Sequence, residues 1–401
     1  MLWWWRTTRL VKWLLDYQSK SPKNPRYASF YGQFPYENSQ RSISARFVDV
    51  CFHLCSYVYL FGMKVHRGWY RYGFGRMSQL YVLDPTINRK RDVVTFVVGN
   101  YTWGGTGKTP FVIFLSKLLV SRGYQPVILS RGYGHQDEAK MLLQRQVASH
   151  VIITGSNREA AFHRLSSTNA PSTVAILDDG LQHWRLKRQC NILMVNAALA
   201  FGINGHLIPR GSLREPPEEA VARCTCIVLH HCSQVSDVQL GQLKSWFHKY
   251  CPEKPVLTSC MVAKSLYLVS CDGQKLPHAC DTIANQDMVL CCGIEYPSGF
   301  LKTVVDYCRP RQVSIESLGD HHWFRLQDLW NIVHKWNSVY AHWNLIVTEK
   351  DYYRNEKVFH QLVNKEWTSN VRVFVVQADL QVHSGIHELE KLLDELGLGP
   401  T

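Results

Sequence analysis

A lysine and a threonine, Lys108 and Thr109, directly follow a glycine-rich turn in this chain of 401 residues. Such glycines let backbone N–H groups close around phosphate oxygens, while the lysine reaches the β- and γ-phosphates and the threonine hydroxyl binds Mg²⁺. The turn therefore predicts binding of a nucleoside triphosphate with Mg²⁺, but it does not select a reaction. Thr102 stands where the usual pattern has its first glycine. The residues predicted to bind the nucleotide are Thr102, Gly104, Gly105, Thr106, Gly107, Lys108 and Thr109.

Two adjacent carboxylates, Asp178 and Asp179, follow the apolar run Ser172 to Leu177. In P-loop enzymes an aspartate at the end of a buried strand holds the Mg²⁺ that bridges the β- and γ-phosphates. Arg214 and Glu215, in a loop rich in proline and glycine, are candidates to face a phosphate and a metal. A simple turn is the alternative interpretation of both pairs. The pattern favours metal binding because a P-loop precedes it.

The elements around these residues follow the order strand, turn, helix. Residues 93–98 form a β-branched apolar run typical of a buried strand, and residues 111–120 form an apolar-periodic helix. Strand-like and helix-like segments then alternate to the end of the chain, which predicts an α/β architecture. We expect a P-loop NTPase domain with a mainly parallel sheet and a second, smaller α/β domain. The predicted divisions are a leader at 1–46, the P-loop domain at 47–223 and the second domain at 224–401.

The composition limits the class of partner. Forty-five Lys and Arg against 32 Asp and Glu give a formal charge of +13, which favours acidic partners such as anionic lipid or phosphorylated substrates. The sequence carries no signature of a nucleic-acid-binding fold, so we expect no nucleic-acid partner. The 13 cysteines lack metal-site spacing and are interpreted as reduced thiols in a cytosol-like or organelle interior.

The segment before the P-loop suggests contact with a membrane. Residues 1–46 are basic, contain serine and are poor in acids, so they fit an organelle transit peptide or an interfacial leader equally well. Residues 47–63 are apolar but short and interrupted by Asp49 and His53, which makes them a marginal span. Basic and aromatic residues follow, as in a helix that lies at a headgroup layer. A helix packed in the protein core is the alternative.

Seven motifs in this order resemble the tetraacyldisaccharide 4'-kinase (lipid A 4'-kinase) family. The P-loop motif is followed by proline, and D-D-G-L-Q-H is the most distinctive of the others. The motifs span Val98–Pro110, Leu129–Gly134, Asp178–His183, Gly202–Pro216, Cys292–Ile294, Gly319–His322 and Thr348–Asp351. The first and last of them are V-G-N-Y-T-W-G-G-T-G-K-T-P and T-E-K-D.

The resemblance implies an ATP-dependent kinase that phosphorylates the 4'-hydroxyl of a tetraacyl glucosamine disaccharide 1-phosphate at a membrane surface. It further implies Asp137 and His321 as the catalytic pair, with His322 the alternative to His321. Gln136 stands where the family has glycine before that aspartate. The implied metal ligands are Thr109, Asp178, Asp179 and Glu215. Candidates for contact with the acceptor are Asn100, Arg131, Gln182, His183 and Arg214.

Two other functions stay open at this point. One is a nucleotide-dependent switch that keeps the P-loop without phosphoryl transfer, and the other is a kinase for a different glycolipid. The resemblance and the basic leader suggest a membrane-associated protein, in the mitochondrion for a eukaryotic form and otherwise at the cytoplasmic face of the inner membrane. The sequence does not assign an oligomeric state.

Overall fold

The structure is a computed structural model. It describes residues 17–18, 23–30, 43–84, 89–130, 141–142, 145, 150–153, 157–164, 172–272, 274–320 and 322–400. Three residues predicted from the motifs, Arg131, Asp137 and His321, lie outside these ranges.

Strands and α-helices alternate along most of the chain. The strands are β1 (Tyr81–Asp84), β2 (Arg89–Asp92), β3 (Val94–Gly99), β4 (Gln125–Ser130), β5 (His150–Ile153), β6 (Thr173–Asp178), β7 (Cys190–Asn196), β8 (Cys226–His230), β9 (Val256–Val269), β10 (Lys275–His278), β11 (Asp287–Cys292), β12 (Gln312–Ser317), β13 (Trp343–Thr348) and β14 (Val371–Ser384). The α-helices are α1 (Ile43–Arg71), α2 (Lys108–Ser121), α3 (Arg158–Arg164), α4 (Pro217–Arg223), α5 (Asp237–Tyr250), α6 (Pro297–Cys308), α7 (Leu326–Asn337), α8 (Glu349–Arg354), α9 (Glu356–Val363) and α10 (Ile386–Glu395).

The chain forms two compact units, each assembled from separate segments. The first unit contains residues 1–108, 162–258 and 384–399, and the second contains 109–161, 259–383 and 400–401. The domain boundaries at 46 and 223 that we inferred from the sequence stay predictions.

The first unit is built on a parallel sheet. Its strands lie in the order β8-β7-β3-β6, and β1 and β2 form a separate antiparallel pair. Nearly every residue of these four parallel strands is buried, as expected when helices and loops cover both faces of a sheet. Phe201, Phe247 and Leu229 belong to its main apolar core. The sheet therefore brings the carboxyl ends of four strands to one edge.

The second unit has its own set of parallel strands and its own core. Parallel strands lie in the order β12-β11-β13-β14, β9 follows β14, and the short β10 pairs antiparallel with β9. β4 and β5 form a further parallel pair. Phe300, Val304 and Phe374 fill the core beside β11 and β13. Both units are thus α/β with mainly parallel strands, which confirms the predicted fold class.

Helix α1 is longer than the 17 residues that the sequence suggested. It covers 29 residues, because the basic and aromatic residues after Met63 continue the helical spacing. Residues Phe47–Arg71 are long and apolar enough to cross a membrane, and Ser56 is the one buried residue among them. So little burial does not support the alternative of a helix packed in the protein core.

Candidate active site

The glycine-rich turn joins β3 to α2, as the sequence predicted. Gly104 and Gly107 have φ values of 132° and 77°, conformations that L side chains rarely adopt. Lys108 is the first residue of α2 and Thr109 the second, so both lie where the helix dipole is positive. The local backbone therefore has the geometry that phosphate binding requires.

The departure at Thr102 has a structural explanation. Thr102 forms an antiparallel β-bridge with Leu213, and Trp103 N donates to Ser212 O at 2.6 Å. Arg214 N donates to Tyr101 O at 2.7 Å. A residue paired in this way is extended and needs no glycine. The pairing also fastens the loop that carries Arg214 and Glu215 to the start of the P-loop.

The rest of the P-loop is supported from inside the first unit. Asn100 is buried, and its Nδ2 donates to Thr106 Oγ1 at 3.0 Å and to Gly104 O at 3.4 Å. The ring of His230, at the end of β8, packs on Gly107 so closely that a Cβ added there would lie 2.3 Å from its Cδ2. Burial, followed by the neighbouring His231, holds the pKa of His230 well below its usual 6.5. His230 is therefore a neutral, buried side chain that packs against the P-loop at Gly107.

The two aspartates after β6 have different surroundings. The register pairs Asp178 with Val98 of β3, and the Asp178 side chain is buried. Asp179 has a φ of 50°. Its Oδ1 accepts from Arg214 Nη1 at 2.8 Å and lies 3.8 Å from Lys108 Nζ. Arg214, Asp179 and Lys108 therefore form a chain of alternating charges at the mouth of the P-loop.

Glu215 is fully buried and ion-paired. Its Oε2 accepts from Arg223 Nη2 at 2.5 Å and its Oε1 from Gln182 Nε2 at 2.9 Å. Gln182 Nε2 also donates to Asn100 O at 2.9 Å, so this amide links the D-D-G-L-Q-H motif to the P-loop. Burial and then the charge of Arg223 lower the pKa of Arg188, which lies nearby, to about 10.

Mg²⁺ fits this site only in part. Within the described ranges no three His, Cys, Asp or Glu side chains are grouped as metal ligands. A nucleotide-bound Mg²⁺ does not need such a group, since it usually takes one or two carboxylates together with phosphate oxygens and waters. Asp178 fits best, because it ends the strand beside β3. Asp179 and Glu215 are each paired with an arginine, so metal binding by either would require an exchange of partners.

Most predicted site residues of the first unit therefore come together. The residues that lie at the carboxyl edge of its strands are Asn100, the P-loop residues up to Lys108, Asp178, Asp179, Gln182, Arg214 and Glu215. His183 lies in the same turn, and its N donates to Gly180 O at 2.9 Å. In the second unit His322, the alternative catalytic histidine, has its Nε2 3.1 Å from Asp328 Oδ2.

Sequence reasoning missed His230 and Asn196. Asn196 ends β7, the strand next to the P-loop strand, and His230 ends β8, one strand further out. Asn196 Nδ2 lies 3.5 Å from Gly105 O. Polar residues at the carboxyl ends of parallel strands are the usual ligand-facing positions of α/β sheets. That rule, applied to each apolar run of the first unit, could have singled them out.

A P-loop lysine after a parallel strand, with a buried aspartate at the end of the adjacent strand, defines a P-loop NTPase. Residues 69–396 match the family described as Tetraacyldisaccharide-1-P 4'-kinase. The chain belongs to this family.

Named relatives agree with the assignment. The chain is 29% identical to the probable mitochondrial tetraacyldisaccharide 4'-kinase of Arabidopsis thaliana, over 82% of this chain and 85% of that protein. It is 31% identical to the tetraacyldisaccharide 4'-kinase of Syntrophus aciditrophicus, over 72% and 82%. The crystal structure of LpxK from Aquifex aeolicus with ATP superposes with a TM-score of 0.56 at 21% identity, over 87% of this chain and 99% of that one, and so supports the fold. The predicted family and the enzyme class, a kinase, are confirmed.

Proposed function

We propose that this kinase transfers the γ-phosphoryl group of ATP to the 4'-hydroxyl of a tetraacyl glucosamine disaccharide 1-phosphate at a membrane surface. The observation that carries the proposal is the charge chain Lys108–Asp179–Arg214 at the mouth of the P-loop, in a chain of this family. The two cations of this chain, Lys108 and Arg214, support transfer of a phosphoryl group to an acidic acceptor, since both can neutralise negative charge beside the P-loop.

We assign nucleotide binding, Mg²⁺ binding and acceptor binding to different residues of the site. The P-loop amides, the start of α2 and Lys108 bind the triphosphate and neutralise charge that develops on the transferred group. Asp178 and Thr109 would hold Mg²⁺, which supplies further charge neutralisation at the β- and γ-phosphates. Arg214, released from Asp179, is free to bind an acceptor or phosphate oxygen. Asn100, Gln182 and His183 stay candidates for contact with the acceptor, although Asn100 is fully buried and its amide supports the P-loop.

The acceptor hydroxyl also needs a proton acceptor, since a sugar hydroxyl is a weak nucleophile. A positioned base typically contributes about 10²–10⁴-fold to such a step. On the strength of the motifs we assign this work to Asp137 together with His321, and Arg131 to acceptor binding.

Helix α1 supports the proposed membrane contact. One face is apolar and exposed, with its members three or four residues apart: Phe47, Val50, Leu54, Val58, Phe61, Val65 and Trp69. The opposite face binds the loop of residues 201–217 through Asp49 with Arg210 at 2.9 Å and through Tyr59 Oη, which donates to Arg214 O at 2.7 Å. A cavity of about 340 Å³ lies between this face and the loop. An anionic bilayer would cover the apolar face and hold the acceptor lipid beside the site.

The compartment we propose is the mitochondrion. The support is the basic, acid-poor leader and the mitochondrial name of the plant relative. The leader lies largely outside the described residues.

The proposal is tested by transfer of ³²P from ATP to a purified tetraacyl disaccharide 1-phosphate in mixed micelles. We expect transfer by the parent chain, loss of transfer in Lys108→Ala and a fall of about 10²-fold or more in Asp137→Ala, as for loss of a general base. Lys117→Ala is the matched control, because Lys117 is an exposed lysine of the same helix that is paired with Asp379. ATP binding without transfer to this lipid would refute the proposal and favour a switch or a different acceptor.

A further inference from the structure

The T-E-K-D motif has no part in the chemistry described so far, yet it contains a fully buried carboxylate. Asp351 has no exposed surface, and its Oδ2 accepts from Thr348 Oγ1 at 2.6 Å and from Gly293 N at 3.0 Å. Arg354 Nη1 lies 3.5 Å from its Oδ1. Burial raises the pKa of Asp351, and these donors act against that rise. A buried charge that is costly to desolvate suggests a role beyond filling space.

Three separate motifs meet around Gly293, whose backbone N–H donates to this carboxylate. A Cβ added to Gly293, in the C-G-I motif, would lie 3.1 Å from Asp351 Oδ1 and 3.3 Å from both Gly319 O and His322 Cβ. The C-G-I and G-D-H-H motifs therefore pack closely against T-E-K-D around Gly293. A Cβ at this position would require its neighbours to move by a few tenths of an ångström.

The segment that carries the G-D-H-H motif is also held at both of its ends. Leu318 N donates to Cys292 O at 3.0 Å, and Phe324 N donates to Asn355 Oδ1 at 2.9 Å. Asn355 Nδ2 in turn donates to Asp351 O at 2.9 Å. Asp351 and Asn355 thus hold, directly or through Gly293, the backbone on either side of the motif's histidines.

We propose that Asp351 is a positioning residue for phosphoryl transfer. Together with Asn355 it fixes the segment 318–324, and through this segment it positions the catalytic histidine of the G-D-H-H motif, His321 or its alternative His322. The inference rests on the proposed function, since it presumes that this histidine takes part in the transfer. It assigns to the T-E-K-D motif the task of orienting a catalytic group that lies elsewhere in the chain.

The test compares Asp351→Asn with Asp287→Asn. Asp287 is a matched control because, like Asp351, it is buried and paired with an arginine, Arg311. It lies at the amino end of β11, whereas Gly293 follows the carboxyl end of the same strand. In Asp351→Asn we expect kcat for transfer to fall about 10–100-fold, as for a small misplacement of a reacting group, with the affinity for ATP unchanged. Amide hydrogen exchange in the peptide 318–325 should rise. The control should lose thermal stability but keep both kcat and the exchange of that peptide.

Asn355→Ala provides a second variant if Asp351→Asn does not fold, and the same results are expected. A parental kcat in a folded variant overturns the inference, as does an equal fall of kcat in Asp287→Asn or a fall without faster exchange in 318–325. Failure of the proposed function is recognised separately, because the parent chain itself would then bind ATP and transfer no phosphate. The exchange measurement still decides in that case whether Asp351 holds the segment.

Discussion

The P-loop accepts a threonine at position 102 but requires a glycine at position 107. Thr102 is tolerated where the P-loop pattern has glycine because it is paired with Leu213, whereas Gly107 is confined both by its φ of 77° and by the ring of His230. A side chain at Gly107 would have to displace a buried imidazole. The requirement for glycine is therefore set by contacts at each position and not by the pattern as a whole.

This difference gives a prediction at the residue scale. Gly107→Ala should weaken ATP binding about tenfold or more, because the left-handed conformation alone costs an L residue about 1–2 kcal/mol. Gly241→Ala is the control, since a Cβ there meets nothing within 4 Å in the middle of α5. That change should raise the free energy of unfolding by about 0.5–1 kcal/mol. Calorimetric titration with ATP and urea unfolding of both variants would measure the two effects, and equal ATP affinities would contradict the prediction.

A second prediction at this scale concerns Asp178. Asp178→Asn should lower kcat by about 10²–10³-fold, as for loss of a group that stabilises charge in the transition state. Asp237→Asn is the control, because Asp237 lies in the first turn of α5 and does not end a strand of the parallel sheet. The measurement is the dependence of transfer on Mg²⁺ concentration, and an unchanged dependence in Asp178→Asn would assign the metal to other residues.

At the scale of elements, helix α1 links the exposed apolar face to the site. Tyr59 donates to the carbonyl of Arg214, whose side chain binds Asp179, and Arg67 binds Glu219 at 2.7 Å. The same helix therefore serves two surfaces. A helix that only anchored the chain would not need hydrogen bonds to the loop of the active site.

The apolar face gives the prediction at this scale. The double change Val58→Glu and Phe61→Glu should abolish cosedimentation with vesicles containing anionic lipid and leave the melting temperature within a few degrees, because both side chains are about 70% exposed. Val238→Glu, at an equally exposed valine of α5, should leave vesicle binding unchanged. Vesicle binding that survives the double change would place the membrane contact elsewhere.

At the scale of the whole molecule, stability should depend on acid through two buried histidines. Burial lowers the pKa of His231 to about 4 and holds that of His230 well below 6.5. Both are neutral in the folded state but protonate near pH 6.5 when unfolded. Their contribution is therefore complete above pH 6.5 and decreases as the pH falls toward 4.

When the pH is lowered from about 7 to about 5.5, each histidine should reduce the free energy of unfolding by about 1 kcal/mol. His231→Asn should reduce this slope, since asparagine does not titrate and tolerates the left-handed φ of 61° at this position. Thermal melts at both pH values would measure the difference. An identical pH dependence in the parent and the variant would contradict the prediction, because it would mean that His231 titrates with the same pKa in the folded and unfolded states.

The sequence alone determined the features that depend on a few consecutive residues. The glycine-rich turn, the strand before it and the helix after it were predicted because backbone geometry, side-chain alternation and helix periodicity are local. The helix begins three residues earlier than the apolar period suggested, since Lys108 and Thr109 belong to its first turn. The order of the motifs was enough to identify the family.

Only the tertiary structure decided which of these pieces meet. His230 and Gly107 are joined by the order of strands in a parallel sheet, and Asp351 and Gly293 by the packing of β11 beside β13. Neither pair has a spacing in the sequence that reveals it, because the contact depends on strand order and register and not on distance along the chain. The pairing of Glu215 with Arg223 is likewise a matter of burial, since a carboxylate without exposed surface must find a cation nearby.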